Sequence, residues 1–224
     1  SANGNSSTAI GYNTTASANY STAMGFSTEA SGYASTAMGF GTTASGYRST
    51  AMGYSTTASG DYSTAMGRST TASEFNSTAM GLGTTASGWY STAMGYETTA
   101  SDFGSTVIGQ YNSSGSSATS ANSFSTSAPA FVIGNGTASN AKSDAFKVMF
   151  NGDATVSNDL TVSGDVVVSS DARLKSNIVS LGSTLSRLLL IDGKSYEMKG
   201  KQKIGVLAQD IKEVFPGSGT LVAR

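Results

Sequence analysis

The chain of 224 residues contains no cysteine and no histidine. Without thiols it can form neither disulfides nor thiolate metal sites, and without imidazole it lacks the commonest general base and transition-metal ligand. It has only two prolines, and its formal net charge is -1. Before Lys142 the only basic residues are Arg48 and Arg68. Because a phosphate-binding surface needs a cationic stripe, we expect no nucleic-acid partner. We also expect no cofactor and no metal.

Long hydrophobic runs are also missing, so we expect no membrane insertion by this segment. The first residues, S-A-N-G-N-S-S, do not resemble a signal peptide. We therefore expect the chain to be a piece of a longer protein whose targeting information lies upstream.

What the chain has in abundance is one fourteen-residue repeat, S-T-A-M-G-x-x-T-T-A-S-G-x-x. Its Met-Gly or Ile-Gly pair recurs without insertion, beginning at Ile10, Met24, Met38, Met52, Met66, Met80, Met94 and Ile108. Low complexity often indicates disorder, but disordered segments lack aromatic residues and a strict period. An aromatic residue occurs in nearly every repeat. The period therefore predicts a solenoid in which each repeat is one coil stacked on the next.

Each repeat predicts two short strands and two turns. The alternation over residues 21–24 is typical of a strand, which we expect Gly25 to end, and a second strand fits residues 28–30 before a turn at Gly32. Ordering the fourteen residues of one coil costs on the order of 15 to 25 kcal/mol of conformational free energy. The small side chains of the repeat bury too little apolar surface within one chain to offset this cost easily. We therefore predict a homotrimer, with the methionines buried either inside the roll or along the shared axis.

The S-T-A-M-G and T-T-A-S-G segments resemble the head repeats of the YadA-like trimeric adhesins over about residues 5–112. That resemblance implies a left-handed parallel β-roll within a trimer. Met replaces the usual Ile in six of the eight copies, a swap of similar volume that should cost little.

Aromatic residues at the two turns are the candidate binding residues. They are Phe26, Phe40, Tyr54 and Tyr96 at the first turn, and Tyr33, Tyr47, Trp89 and Tyr90 at the second. The rings could pack on one another and on a neighbouring protomer, or they could form a surface that stacks on sugars or grips a protein. The acidic residues of the repeats occupy different phases, so we expect solvated turns rather than a paired-carboxylate site for glycan cleavage. They are Glu29, Asp61, Glu74, Glu97 and Asp102.

After the repeats (1–112) we expect a Ser-rich connector with two short strands, near 131–133 and 146–150, over residues 113–154. A six-residue period then places Val156, Val162 and Val168 in register, which suits a slender β-prism stem over residues 155–169. The same period aligns Asp159, Asp165 and Asp171, which leaves a calcium site open as an alternative. The predicted fold class is thus all-β, a β-roll solenoid followed by a stem and a small α+β C-terminal module.

The last segment resembles the endosialidase-type intramolecular chaperone domain of phage tail spikes and bacterial fibres. Three blocks carry the resemblance over about residues 169–224: S-D-A-R-L-K-S-N-I, L-L-I-D-G-K-S-Y-E and I-G-V-L-A-Q-D-I-K-E-V-F-P. It implies self-cleavage at the Ser169-Ser170 bond, with Ser170 as nucleophile and Lys175 as its base or activator. Domains of this family continue well past the F-P that ends the third block, so we expect the module at 170–224 to be partial.

Together these features favour an extracellular homotrimeric fibre adhesin, on a bacterial surface or a phage tail, that attaches to a cell-surface glycan or protein receptor. The chaperone would set the register of three repetitive rods, which could otherwise pair one coil out of step. The alternative is a tail-spike fibre whose upstream part is a glycan hydrolase.

Overall fold

A computed structural model of the chain describes residues 1–163, 184–198 and 201–214. The chain divides into two compact units, Ser1–Thr161 and Val162–Arg224. Ser170 and Lys175 lie outside the described residues, so their proposed chemistry stays a prediction. Within the described part of the chain, no helix is both long and apolar enough to cross a membrane.

The first unit is a parallel β-solenoid, as the period predicted. Each coil contributes one long and one short strand, and identical positions of successive coils pair in register, fourteen residues apart. The long strands are Thr8–Tyr12 (β1), Thr22–Phe26 (β3), Thr36–Phe40 (β5), Thr50–Tyr54 (β7), Thr64–Arg68 (β9), Thr78–Leu82 (β11), Thr92–Tyr96 (β13) and Thr106–Gln110 (β15). The short strands are Thr15–Ala16 (β2), Glu29–Ala30 (β4), Thr43–Ala44 (β6), Thr57–Ala58 (β8), Thr71–Ala72 (β10), Thr85–Ala86 (β12) and Thr99–Ala100 (β14).

The solenoid core consists almost entirely of small side chains. In the second coil Ala23 on the long strand and Ala30 on the short strand are fully buried, with Ser21 and Thr28 beside them. The same positions are buried in the following coils, and the larger Val107 and Val132 enter the core only at its C-terminal end. The two sheets therefore enclose a core with room for little more than methyl and hydroxyl groups.

The strand bounds correct one expectation, because Gly25 does not end the first strand. The strand runs through it to Phe26, and Gly25 takes φ +122°. A Cβ at this position would lie 2.0 Å from the carbonyl oxygen of Gly39 in the next coil. Glycine is required here because coil stacking brings two backbones together at a φ that other residues rarely adopt.

Each turn contains one residue in the left-handed region, and most of these residues are not glycine. At the first turn the position is taken by residues such as Ser27 (φ 50°) and Glu97 (φ 52°). At the second turn it is taken by residues such as Ala34 (φ 52°) and Tyr90 (φ 60°). The coil therefore turns the same way whatever side chain is present, which frees these positions to vary.

The solenoid ends in a small antiparallel extension. Pro129–Asn135 (β16) adds to β15 in parallel. Asp144–Met149 (β17) then pairs antiparallel with β16, and Ala154–Val156 (β18) pairs antiparallel with β17. Both strands expected in the connector are present with longer bounds. Residues 157–163 form no strand, and since residues 164–169 lie outside the described part, the β-prism stem stays a prediction.

The described part of the second unit contains two short helices and two strands. These are Leu185–Leu188 (α1), Lys194–Met198 (β19), Lys201–Gly205 (β20) and Ala208–Val214 (α2). The strands β19 and β20 pair antiparallel. Asp192 and Lys194 form an ion pair of 2.8 Å; a hydrogen bond from Lys194 lowers the pKa of Asp192, and the same bond raises the pKa of Lys194.

Candidate binding surfaces

The first turn carries a column of stacked rings, which we call the first aromatic ladder: Tyr12, Phe26, Phe40 and Tyr54. Ring centroids of neighbours lie 5.1, 4.8 and 5.1 Å apart, and the interplanar angles are 17°, 6° and 8°. The guanidinium of Arg68 lies 5.6 Å from the Tyr54 ring centroid and covers the last ring. All four rings remain exposed to solvent, Tyr12 most of all at 71%.

Stacking decides which parts of these rings are available. The faces of Phe26 and Phe40 are both occupied by neighbouring rings, so a ligand could contact only their edges. Tyr12 lies at the end of the column. The two interpretations of these aromatic residues are therefore not exclusive, since the rings pack on one another and still present a continuous edge to solvent.

Beyond Arg68 the first turn changes character, with Leu82, Tyr96 and Gln110 at the equivalent positions. Tyr96 packs edge to face against Tyr111, with centroids 5.1 Å apart. A side-chain hydrogen bond with Tyr96 raises the pKa of Tyr111 to about 12.

The second turn carries another column, the second aromatic ladder, built from two adjacent positions. Where one position is polar the other supplies the ring, as Tyr20 follows Asn19 and Tyr62 follows Asp61. The ladder consists of Tyr20, Tyr33, Tyr47, Tyr62, Phe75, Trp89, Tyr90 and Phe103.

Most contacts in the second ladder are edge to face, in contrast to the first. Tyr33 and Tyr47 stack with an interplanar angle of 7°, whereas Tyr47 meets Tyr62 at 69°. Trp89 is tilted at 49° to Phe75, and its Nε1 donates a hydrogen bond of 2.9 Å to Oε2 of Glu74. Trp89 is 39% exposed, and Tyr90 beside it is exposed as well. These two adjacent rings make the broadest aromatic surface at this turn.

A third surface is the outer face of the long sheet, where the methionines form a column. Met24 is 37% exposed, Met80 and Met94 are similar, and Met38, Met52 and Met66 are partly buried. The expectation that the methionines could fill the interior of the roll is wrong, because Ala23 and its equivalents occupy that side of the strand. Side chains alternate along a strand, so Thr22 and Met24 share the outer face.

The C-terminal end of the solenoid is closed by a buried asparagine. Asn112 accepts a hydrogen bond from the Thr99 amide and donates one to the Thr99 carbonyl, both at 2.8 Å. It also donates to the carbonyl of Ser114 at 2.7 Å. Its side-chain amide thus replaces the backbone that a further short strand would offer to β14.

Asp102 corrects another expectation, because it is buried and does not lie in a solvated turn. Its Oδ1 accepts hydrogen bonds of 2.6 and 2.7 Å from the amides of Thr119 and Ser120. The carboxylate therefore fixes the connector onto the last coil. Most other repeats have glycine at the position of Asp102. That difference was the only feature of the sequence that could have indicated a special role for this aspartate.

In the second unit the described apolar side chains are mainly exposed. No described side chain there is buried, and Leu189 and Ile204 are 76% and 87% exposed. Within the described ranges, no group of three or more Asp, Glu, His or Cys side chains is arranged to hold a metal ion. Of the aspartates in the six-residue period only Asp159 is described, so the calcium alternative stays untested.

Taken alone, the geometry defines residues 1–112 as a parallel β-solenoid with repetitive aromatic and apolar surfaces. Two family models match the chain. The YadA head domain repeat matches residues 2–28, 30–56, 44–70, 58–84, 72–98 and 86–112, and the chaperone of endosialidase matches residues 170–220. The chain therefore joins YadA head repeats to an endosialidase-type chaperone domain, and both resemblances seen in the sequence are confirmed. A search of curated proteins found no match to the chain.

Proposed function

We propose that the chain is part of an extracellular homotrimeric fibre that attaches to a target cell, with its C-terminal domain as assembly chaperone. The observation that carries the proposal is the methionine column on the outer face of the long sheet. A single chain leaves Met24, Met80 and Met94 exposed and the other methionines of the column partly exposed. Exposed apolar patches of this extent are typical of association surfaces.

Parallel packing of identical rods would cover the column most economically. If the rods run in the same direction around an axis along the solenoid, every methionine meets its own copies at the same height. Such closed symmetry is usual in homo-oligomers. The trimeric heads of the YadA-like adhesins support three copies in place of two.

Two glutamate substitutions test the trimer. Met52→Glu places a charge on the outer face of the long sheet and should convert trimers to monomers, since burying an unpaired charge is costly. Thr43→Glu is the matched control, because Glu29 stands at the equivalent position of the preceding coil. Native mass spectrometry should give three chains for the wild type and for Thr43→Glu. A monomeric wild type would overturn the proposal.

Receptor attachment is proposed for the two aromatic ladders. Their rings supply a large and rigid contact area. Because stacking already fixes the conformation of these side chains, they lose less entropy when a receptor binds. Phe40→Ser in the first ladder and Trp89→Ser in the second should each reduce adhesion of the folded trimer to receptor-bearing cells or to a glycan array. Unchanged adhesion by both variants would show that the rings only stabilise the solenoid.

The exposed leucines of the C-terminal unit support the chaperone role, because contacts with other chains would remove them from water. For processing, we propose that Ser170 Oγ attacks the carbonyl carbon of Ser169 while Lys175 accepts the hydroxyl proton. The peptide C–N bond breaks as the new amino terminus takes up a proton, and water then hydrolyses the ester. The full-length protein should yield a fragment ending at Ser169. Ser170→Ala should abolish that fragment, and its persistence would remove Ser170 from the mechanism.

A further inference from the structure

We propose that a polar cleft at the C-terminal end of the solenoid binds an acidic saccharide through Lys142 and Lys147. The cleft lies between the 113–114 loop, the start of β17 and the residues that follow β18, and has a volume of about 570 Å³. That volume is within the range of small-molecule sites. The inference deepens the proposed attachment function by naming a ligand class, and its biological sense rests on that function.

Charge is concentrated in this cleft. Lys142 and Lys147 are the only lysines among residues 1–161, and both line it. Neither ammonium group has a hydrogen-bond or ion-pair partner among the residues that the structure describes. Residues 1–161 contain four basic and eight acidic side chains, a formal net charge of -4. Two unpaired cations in one cleft of an otherwise acidic unit favour a ligand that carries an anionic group.

The single carboxylate of the cleft does not neutralise these lysines directly. Asp144 accepts hydrogen bonds from the backbone amides of Ser113 and Ser114, at 2.8 and 2.9 Å, one to each carboxylate oxygen. Both oxygens are therefore committed to holding the loop, and with two lysines the cleft has a net positive charge.

The walls are held in place by their own hydrogen bonds. Ser143 Oγ donates to Asn135 Oδ1 at 2.7 Å, and the Ser157 amide donates to the carbonyl of Ala145 at 3.0 Å. Ser157 Oγ also donates to the carbonyl of Asp144. A cleft whose walls are fixed before binding loses less entropy when a ligand enters.

The lining chemistry indicates which anion would fit. Every lining residue is polar or charged, and the uncharged ones carry hydroxyl or amide groups. Such a surface offers little to a lipid chain or an apolar peptide side chain, but it can donate to and accept from the hydroxyls of a sugar. Two lysines are too few for the cationic stripe that a nucleic acid requires. A sugar that bears a carboxylate matches both the lysines and the hydroxyl-rich walls.

Calorimetry or a glycan array on the full chain tests the assignment with a galacturonic acid hexamer as probe. The hexamer should bind, and Lys142→Ala and Lys147→Ala should each weaken binding about tenfold, as expected for loss of a charged hydrogen bond. Lys142→Arg should retain most of the affinity. Lys212→Ala, on an exposed part of α2, is the matched control and should bind as the wild type does.

Three further probes make the assignment falsifiable. The methyl-esterified hexamer should bind at least tenfold more weakly; equal binding would remove the role of the lysines. A glutamate hexapeptide that binds as well, or inorganic phosphate that competes at equal concentration, would show a site for any anion and overturn the saccharide assignment. If no probe binds while the trimer still adheres to cells, this inference fails and the proposed function stands.

Discussion

The two units of the chain differ in what each one buries. The solenoid encloses two fully buried rows of alanine, whereas no described side chain of the C-terminal unit is buried. The solenoid obtains its order from coil stacked on coil, within one chain. The C-terminal unit exposes Leu189 and Ile204, so these side chains are accessible for the contacts between chains that the proposed chaperone role requires.

The largest effect should come from breaking the coil stacking that sets the solenoid apart. In Gly53→Ala the new Cβ would lie 1.9 Å from the Gly67 carbonyl oxygen, at a φ of +125°. We expect the free energy of unfolding to fall by about 3 kcal/mol, the upper range for backbone strain. Gly41→Ser is the control, since its nearest neighbour is 3.7 Å away and Ser27 and Ser55 occupy the same phase. Thermal or denaturant unfolding measures both variants; an equal loss would contradict the close-approach argument.

Removing the cap of the solenoid should have the next largest effect. Asn112→Ala deletes the three hydrogen bonds of a buried side chain and leaves the Thr99 amide and carbonyl unpaired, so we expect the free energy of unfolding to fall by about 2 kcal/mol. Asn151→Ala removes an exposed asparagine bonded to Asp153 and should change stability little. Hydrogen exchange should show the fraying confined to the last coils, and uniform protection loss would contradict a capping role.

A substitution in the C-terminal unit should hardly change the stability of the solenoid but should alter the assembly of the trimer. Leu189→Ser removes a highly exposed side chain, so the solenoid should unfold within about 0.5 kcal/mol of the wild type. The yield of trimer during refolding should fall several-fold if Leu189 lies in an intermolecular contact. An unchanged yield, measured by native mass spectrometry, would indicate that the two units do not differ in the way described above.

The smallest effect concerns pH at the last coil of the solenoid. The hydrogen bond with Tyr96 raises the pKa of Tyr111 from 10.0 to about 12. Because the folded state holds this proton more tightly, the stabilisation is complete below pH 10 and is lost as the pH rises through 12. Ultraviolet difference titration of wild type against Tyr111→Phe measures the shift. In Tyr96→Phe the pKa of Tyr111 should fall back toward 10, and an unchanged value would exclude Tyr96 as the cause.

Much of the fold could be predicted because the fourteen-residue period is itself a structural constraint. The repeat gave the number of coils, the two strands in each and the alternation of Thr22, Ala23 and Met24. It could not give the direction in which Met24 points, since either face of a lone strand is equally consistent with alternation. The binding surfaces were harder still, because the angle between neighbouring rings depends on which of two adjacent turn positions carries each ring. Tyr47 and Tyr62 occupy different ones of these positions and meet at 69°.

The sequence alone determined that this chain stacks identical coils, because only glycine tolerates the backbone contact at Gly25 and its equivalents, and only small side chains fill so narrow an interior. It also determined the two families through short, ordered motifs. Tertiary structure decided that the methionines face outward, that Asn112 imitates a strand, that Asp102 is buried and that Lys142 and Lys147 line one cleft. The direction of the methionines depends on which face of the strand the closed coil turns inward. The other facts depend on residues that are distant along the chain, where no period specifies which groups will meet.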